Sequence, residues 1–271
     1  MSPPSGIPCR CLRYVVRLVR VRDWWDKILY VAGAAFLLWN GSGRVGVDAH
    51  AFALYVAGVL CLLIGGYTIN DVADFPQDTR VPREDIGPTP RRHHSLVVAL
   101  AGLVVGMTLL LAATREPLPR AIAVVNLLIG VEYSLPPMRF KERGVWGVIV
   151  GAWTQKPGLF LVSAAMLGVW NWLCVLLTVW LFCGGALAML GHQILDHRND
   201  LAAGVRTFVT RRGPKLALRL CFVCACVIGM TVLAPFAFAP AAEALPMVGM
   251  LAALSSVYAG KGLRALRKLR Q

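Results

Sequence analysis

Long apolar segments recur along the chain and constrain its fold more than any other feature. A helix needs about 20 apolar residues to cross the hydrocarbon core of a bilayer, and eight segments approach that length. They are Trp24–Trp39, Ala51–Asn70, Ser95–Ala113, Pro119–Glu132, Val145–Leu167, Val169–Ile194, Pro214–Ala234 and Ala241–Ala259. Only 15% of the residues are charged and 57% are apolar, against about 25% and about 45–50% in soluble domains. This composition argues strongly against a soluble enzyme and predicts an all-α polytopic membrane protein whose helices surround a central cavity.

The basic residues lie mostly on one side of these predicted helices. With the amino terminus in the cytoplasm, 24 of the 28 Lys and Arg residues fall on the cytoplasmic side, three fall on the opposite side, and Lys156 lies inside the fifth segment. Positive residues flank the cytoplasmic ends of membrane helices, so this bias predicts an even number of helices with both termini in the cytoplasm. The net charge of +14 then faces anionic lipid in the cytoplasmic (inner) membrane, and nucleic acid is excluded as a partner.

A first group of carboxylates follows the second apolar segment. Asn70 precedes Asp71, Asp74 and Asp78, which are spaced i, i+3 and i+7 and would share one face of a helix. Pro76 interrupts this run, and proline removes a backbone donor and clashes with the preceding turn. We therefore expect the helix to end near Asp74 and Asp78 to reach the site from a loop.

A second group follows the sixth segment, at the same predicted end. Asp196 and Asp200 are spaced i and i+4, and His192 lies one turn earlier. Like charges at this spacing destabilise a helix, so both groups call for a counter-charge. Several carboxylate oxygens together suit Mg²⁺, which proteins bind through a few carboxylates and substrate phosphates. The sequence thus predicts a magnesium site made by the five aspartates of the two groups.

A polar segment after the fourth apolar run supplies groups that bind phosphate. Tyr133 offers a hydroxyl, a Pro-Pro pair ends the helix, and Arg139 and Lys141 follow. A guanidinium fork and an ammonium group are the usual ligands of phosphate oxygens. Together with Asn70 and Arg198, they form the predicted diphosphate site.

In combination, the three segments resemble the motifs of the UbiA superfamily of intramembrane prenyltransferases. Residues 70–78 match N-D-x-x-D-x-x-x-D, residues 133–141 match Y-S-x-P-P-x-R-x-K, and residues 196–200 match D-x-x-x-D. The resemblance implies Mg²⁺-dependent transfer of a prenyl group from an isoprenoid diphosphate to a lipophilic acceptor, with an aromatic compound as the first candidate. The aspartates would hold the metal and act in catalysis, and the polar and basic residues would bind the diphosphate.

The resemblance covers about Arg22 to Gly213, and we expect one UbiA-like transmembrane domain that spans residues 1–271. Within it, residues 1–23 form a basic cytoplasmic arm, and the active-site loops are residues 71–94, 133–144 and 196–213. Helices one to four and five to eight each place an acidic group after their second helix, which predicts two four-helix halves facing each other.

Several alternatives stay open at this point. A polyprenyl-phosphate-directed transferase, such as a phosphoribosyl transferase, and a UbiA-type terpene cyclase use related chemistry. A transporter is disfavoured because transporters place acids at the bilayer midplane. Lys156 either faces a cavity or marks a turn that splits the fifth helix and raises the count to nine. His192 is either a base beside the acceptor or a helix-packing residue.

Overall fold

The computed structural model describes residues 7–41, 48–78 and 91–269, with side chains over 12–41, 48–75 and 91–257. Its longer helices are α2 (Val21–Gly41), α3 (Ala49–Asp78), α4 (Arg92–Ala113), α5 (Pro117–Ser134), α8 (Trp172–Leu195), α11 (Pro214–Leu233) and α13 (Ala241–Leu269). The shorter ones are α1 (Ile7–Leu18), α6 (Val145–Gln155), α7 (Pro157–Leu167), α9 (His197–Ala202), α10 (Phe208–Arg212) and α12 (Pro235–Phe238), with a one-turn 3₁₀ helix at Phe140–Glu142. Each predicted apolar segment lies mainly on helix, so the all-α prediction is confirmed.

Four helices are long and apolar enough to cross a membrane. They are α3 over Ala49–Phe75, α4, α8 and α11. In the described part of the chain, the other predicted segments are shorter or less apolar, and the number of crossings stays a prediction.

The fifth predicted segment is broken at Lys156, so the expectation of one continuous helix was wrong and the alternative of a turn is correct. The residue after Lys156 is a proline, whose missing N–H interrupts the helical ladder, and the break leaves α6 and α7 with 11 residues each, about 16 Å. Both halves pack in order along α5. Gly151 lies beside Tyr133 and Gly158 lies beside Asn126. The two halves therefore form one kinked path antiparallel to α5.

The first acidic run stays helical, contrary to the expectation that its helix ends near Asp74. The α3 backbone continues through Pro76 to Asp78. A proline in the last turn removes only one backbone hydrogen bond, and the helix ends two residues later. The backbone thus places Asp71, Asp74 and Asp78 on one helical stretch.

Close packing joins the second and third helices of each predicted half. A Cβ atom added to Gly102 of α4 would lie 2.8 Å from the amide nitrogen of Gly65 on α3, so these backbones approach directly. In the other half, α8 packs most extensively against α11. Both predicted halves therefore use the same pairing, while their internal repeat stays a prediction.

An aromatic contact at the centre of the bundle joins three helices. The Tyr30 ring of α2 meets the fully buried Trp180 of α8 edge to face, with ring centroids 5.7 Å apart. Trp180 also donates a hydrogen bond from its indole nitrogen to the hydroxyl of Ser255 on α13, at 3.0 Å. This contact joins α2 of the first predicted half to α8 and α13 of the second.

The basic arm contains a helix that sequence reasoning did not anticipate. Helix α1 lies against the start of α4, where the Tyr14 hydroxyl and the His94 ring form a hydrogen bond of 2.7 Å. A short turn then leads through Arg20 into α2. The arm thereby reaches the same end of the molecule as the end of α3.

Candidate active site

The end of α3 meets the loop after α5 through Lys141. Its ammonium group donates hydrogen bonds to the carboxylate of Asp74 and to the amide oxygen of Asn70, the latter at 3.0 Å. The guanidinium of Arg139 lies 3.4 Å from the same Asp74 carboxylate. Ser134 donates to Asn70 at 3.1 Å. The structure therefore brings together four predicted site residues from two motifs that are more than 60 positions apart.

Asp71 pairs with Arg20, a residue that sequence reasoning counted only as part of the basic arm. Arg20 donates to Asp71 and also to Asp23, the latter at 2.8 Å. Burial would lower the pKa of Arg20, but the two carboxylates outweigh it and raise the pKa above its ordinary value. The position of Arg20 just before the first apolar segment could have predicted this pairing, because a cation there lies at the same membrane level as the acidic end of α3.

Both arginines that contact the motif aspartates have left-handed backbone. The φ angle is 53° at Arg20 and 40° at Arg139, a region that non-glycine residues rarely occupy. Such conformations carry a cost of about 1–3 kcal/mol and cluster at functional sites. The surrounding structure therefore holds both guanidinium groups toward α3 at some expense to the backbone.

Lys141 is largely shielded from solvent, with 12% of its side chain exposed. Burial is the main influence on its pKa and lowers it, while the neighbouring Asp74 carboxylate opposes this effect. A lysine in this position is weakly hydrated and already directed at oxygen ligands. It can bind a phosphate oxygen with little further desolvation.

The second acidic motif spans the junction of α8 and α9. Asp196 is the residue between the two helices, and Asp200 lies in the first turn of α9. The following loop is fixed by the buried Gln193, whose side-chain oxygen accepts a hydrogen bond from the Val209 amide at 3.3 Å. Thr207 caps α10 by accepting from the Thr210 amide at 3.3 Å. Gln193 was missed from sequence because a single amide in an apolar helix carries no pattern.

Two contacts connect the segment that follows this second motif to the loop that carries Lys141. Gly144 and Thr207 form an isolated parallel bridge. Arg211 donates from its guanidinium to the carbonyl oxygen of Glu142 at 3.0 Å. All three motif segments consequently lie at one end of the molecule.

The aspartates of the two motifs do not form a joint ligand cluster in this arrangement. Among the side chains that the structure describes, no three His, Cys, Asp or Glu residues come together as a metal-ligand set. The side chain of Asp78 lies outside the described residues. Asp71 and Asp74 instead have their charge balanced by Arg20, Arg139 and Lys141. Their carboxylates are the hard oxygen donors that Mg²⁺ takes, so the donor chemistry fits this metal.

The remaining predicted residues lie in different surroundings. Arg198 and His192 are exposed, and the role of His192 stays a prediction. Tyr133 is partly buried, and its ring contacts α6 beside Gly151. Lys156 is 1% exposed at the helix break, with its ammonium 4.6 Å from the Tyr30 ring centroid.

These features define the class of protein, and comparison with known families agrees. The UbiA prenyltransferase family matches residues 28–270, and the chain belongs to this family. The resemblance seen in the three motifs is thereby confirmed. The chain is an integral membrane protein and an enzyme of the prenyltransferase class.

Among its relatives are two archaeal proteins named lycopene elongase/hydratase. The protein from Halobacterium salinarum is 32% identical over 221 residues, which cover 77% of this chain and 74% of the relative. The protein from Haloferax volcanii is 31% identical over 265 residues, which cover 92% of this chain and 79% of the relative.

Solved structures show the same fold at low sequence identity. A UbiA homolog from Archaeoglobus fulgidus bound to GPP and Mg²⁺ superposes with a TM-score of 0.68 at 19% identity, covering 91% of this chain and 85% of that one. An apo UbiA homolog from Aeropyrum pernix K1 gives a TM-score of 0.67 at 16% identity, covering 92% and 91%.

Proposed function

We propose that this enzyme transfers a prenyl group from an allylic diphosphate to a polyene hydrocarbon of the carotenoid class within the membrane. The observation that carries the proposal is the convergence of Arg20, Arg139 and Lys141 on the carboxylates of Asp71 and Asp74. Such a site can bind a diphosphate together with a divalent metal, because the carboxylates bind the metal and the cations bind the diphosphate oxygens.

The basic side chains are the proposed diphosphate ligands. Lys141 and Arg139 would exchange part of their contact with Asp74 for diphosphate oxygens, since charge-assisted hydrogen bonds to phosphate are as strong as those to carboxylate. Asn70 and Tyr133 add neutral polar contacts beside them. Arg198 would approach from the second motif.

The proposed metal ligands are Asp71, Asp74 and Asp78 on α3 and Asp196 and Asp200 at the end of α8. Magnesium, when bound, acts as a Lewis acid that stabilises the charge of the departing diphosphate. The Archaeoglobus fulgidus homolog, which is bound to GPP and Mg²⁺, supports magnesium as the metal. The carboxylates released by Lys141 and Arg20 would be free to coordinate.

The reaction then follows from where charge develops. The bond between C1 of the prenyl chain and the diphosphate oxygen breaks, and its electron pair stays on the oxygen, where Lys141 and Arg139 stabilise it. The π electrons of the acceptor form a new bond to C1. An apolar interior keeps water away from the cation until this bond has formed.

A polyene acceptor is favoured by the relatives named lycopene elongase/hydratase, at 31% and 32% identity. Both cover more than two thirds of this chain. This proposal replaces the aromatic acceptor that the motifs alone placed first. A hydrocarbon acceptor also suits a bundle whose buried interior is mainly aliphatic and aromatic.

The membrane arrangement is part of the proposal. We place eight helices of a single UbiA-like domain, residues 1–271, in the cytoplasmic membrane, with both termini and the three motif segments on the cytoplasmic side. The contacts that join α1, α3, the 139–144 loop and residues 207–211 at one end support this orientation.

The test is an assay of the purified protein in lipid with labelled prenyl diphosphates of several lengths. Lycopene would be offered in parallel with aromatic acceptors, each with Mg²⁺ and with EDTA. We expect Mg²⁺-dependent prenylation of the polyene. Prenylation of an aromatic compound alone would overturn the acceptor class, and full activity in EDTA would overturn the role of the metal.

A further inference from the structure

The buried charged residues converge at one place away from the aspartate motifs. Among the side chains that the structure describes, the charged residues that are buried are Asp26, Lys27 and Lys156, with 3%, 5% and 1% of their surface exposed. Asp26 and Lys27 lie next to each other on α2, 3.8 Å apart through their charged atoms. Lys156 reaches the same helix from the break between α6 and α7.

Tyr30 connects these charges. It lies four residues, one helical turn, after Asp26 on α2, so the two side chains share a face of this helix. The ammonium of Lys156 lies 4.6 Å from the centroid of the Tyr30 ring, in cation–π contact. Asp26, Tyr30 and Lys156 thus form one buried group, which we call the α2–kink group.

The α2–kink group lies just below the diphosphate end of the molecule. The hydroxyl of Tyr67 donates to the side-chain oxygen of Gln155, the residue before Lys156, at 2.6 Å. The same Tyr67 ring lies 5.6 Å beneath the guanidinium of Arg20, which contacts Asp71. Since Tyr67 precedes Asp71 by one turn of α3, about 6 Å, the group lies near the first carbons of a prenyl chain whose diphosphate is at Asp71.

The cost of buried charge and of broken helix inside a membrane protein indicates that this group has a function. Ionisable residues inside a membrane bundle are costly and usually mark a reaction or transport path. Non-helical backbone at membrane depth is tolerated where it is buried in protein or lines a cavity. Both features occur at Lys156, and neither is used in binding the diphosphate.

The reaction proposed above requires a base in the apolar interior, which the aspartate motifs do not supply. When the C=C bond of a polyene attacks C1, the acceptor is left with a carbocation, and one proton must leave. Either a neighbouring C–H bond breaks and its electron pair forms a new C=C bond, or a water oxygen adds and then loses a proton. In both cases a base is needed in the apolar interior, beside C1.

We propose that Asp26 accepts this proton, with Tyr30 and Lys156 positioning its carboxylate. The inference rests on the proposed transfer to a polyene. The ammonium of Lys27 lies 3.8 Å from this carboxylate. One turn further along α2, the Tyr30 ring presents its electron-rich face to the ammonium of Lys156. After the proton has moved to the carboxylate oxygen, loss to water restores the group.

The test measures two products of each turnover separately: released diphosphate and prenylated polyene. In Asp26→Asn, we expect the ratio of prenylated polyene to diphosphate to fall at least tenfold, while donor KM and diphosphate release stay within twofold. Asp48→Asn is the matched control, because it makes the same chemical change at an exposed residue near the opposite end. It should leave the ratio unchanged.

A second pair of variants keeps the inference testable if Asp26→Asn does not fold. Lys156→Met should lower the ratio, and Lys156→Arg should restore most of it, since arginine keeps the cation. An unchanged ratio in Asp26→Asn or in Lys156→Met, with an active parent enzyme, would overturn this inference alone. In Lys156→Met, a parallel fall of both products together with the melting temperature would also overturn it, as that pattern indicates a structural role. A parent enzyme that releases diphosphate and prenylates no polyene would overturn both proposals.

Discussion

Lys141 contacts Asp74 across two motifs that lie 67 positions apart in the sequence. The same ammonium reaches Asn70, so one side chain fixes the loop after α5 to the last turns of α3. This contact sets the spacing between the carboxylates and the cations of the site.

Replacing Asp74 with asparagine keeps the shape of the side chain and removes its charge. We expect diphosphate release to fall by about 100-fold or more, the range lost when one charge-stabilising group is removed from an active site. Asp196→Asn should have a similar effect, because both belong to the proposed metal set. The protein should remain helical by circular dichroism, and turnover of either variant at the parent rate would contradict the metal role.

Replacing Lys141 with methionine removes the ammonium and leaves the aliphatic length. Donor binding should weaken by roughly 10- to 100-fold, since a hydrogen bond to a charged group contributes about 1.5–3 kcal/mol. Lys141→Arg serves as the comparison and should lose less, because it retains a cation at Asp74. Equal donor KM values in both variants and the parent would show that Lys141 does not bind the diphosphate.

Replacing Gly102 with alanine tests the direct approach of α3 and α4. The added Cβ would lie 2.8 Å from the Gly65 amide nitrogen, so the helices must separate, at about 1–3 kcal/mol of unfolding free energy. Gly66→Ala is the matched control. It makes the same change within a helix, where a Cβ would meet no atom within 4 Å. Thermal unfolding in detergent should show a lower melting temperature for Gly102→Ala only.

Replacing Thr207 with alanine removes the cap of α10. The loss of the hydrogen bond to the Thr210 amide should reduce stability by about 1 kcal/mol. Thr207→Ser keeps the hydroxyl and should behave like the parent. Hydrogen exchange of residues 207–212 would locate the change, and equal protection in both variants would argue against the cap.

Periodicity and charge predicted much of this molecule. The eight apolar segments, the three motif segments and their common end could all be read from the sequence, because hydropathy and charge bias act over whole helices. Helix α1 was not anticipated, since its apolar and basic residues resemble a charged tail. For Lys156, the sequence left two interpretations open: a residue that faces a cavity within one helix, or a turn that splits the helix. The packing of α6 and α7 along α5 decides for the turn.

The partners of the predicted site residues were harder to foresee. Arg20 reaches Asp71 because its own backbone has a positive φ. A sequence motif does not predict such a contact, since it describes only spacing along the chain. Prolines usually end a helix, but Pro76 lies in the last turn of α3, and the helix continues through it to Asp78. Gln193 bonds the Val209 amide 16 residues later, and this contact depends on the path of a loop that no spacing rule describes.

The break at Lys156 also has a consequence for how the chain enters the bilayer during synthesis. Each half is about 16 Å long, short of the roughly 30 Å hydrocarbon thickness, and a lysine at the junction opposes insertion by about 2.5–3.5 kcal/mol. Just before the break, the Thr154 carbonyl accepts a hydrogen bond from the side-chain amide of Asn126 on α5 at 3.2 Å. This segment therefore depends on the preceding helix for its partition into lipid, and loss of Asn126 would reduce the yield of assembled protein before any effect on turnover.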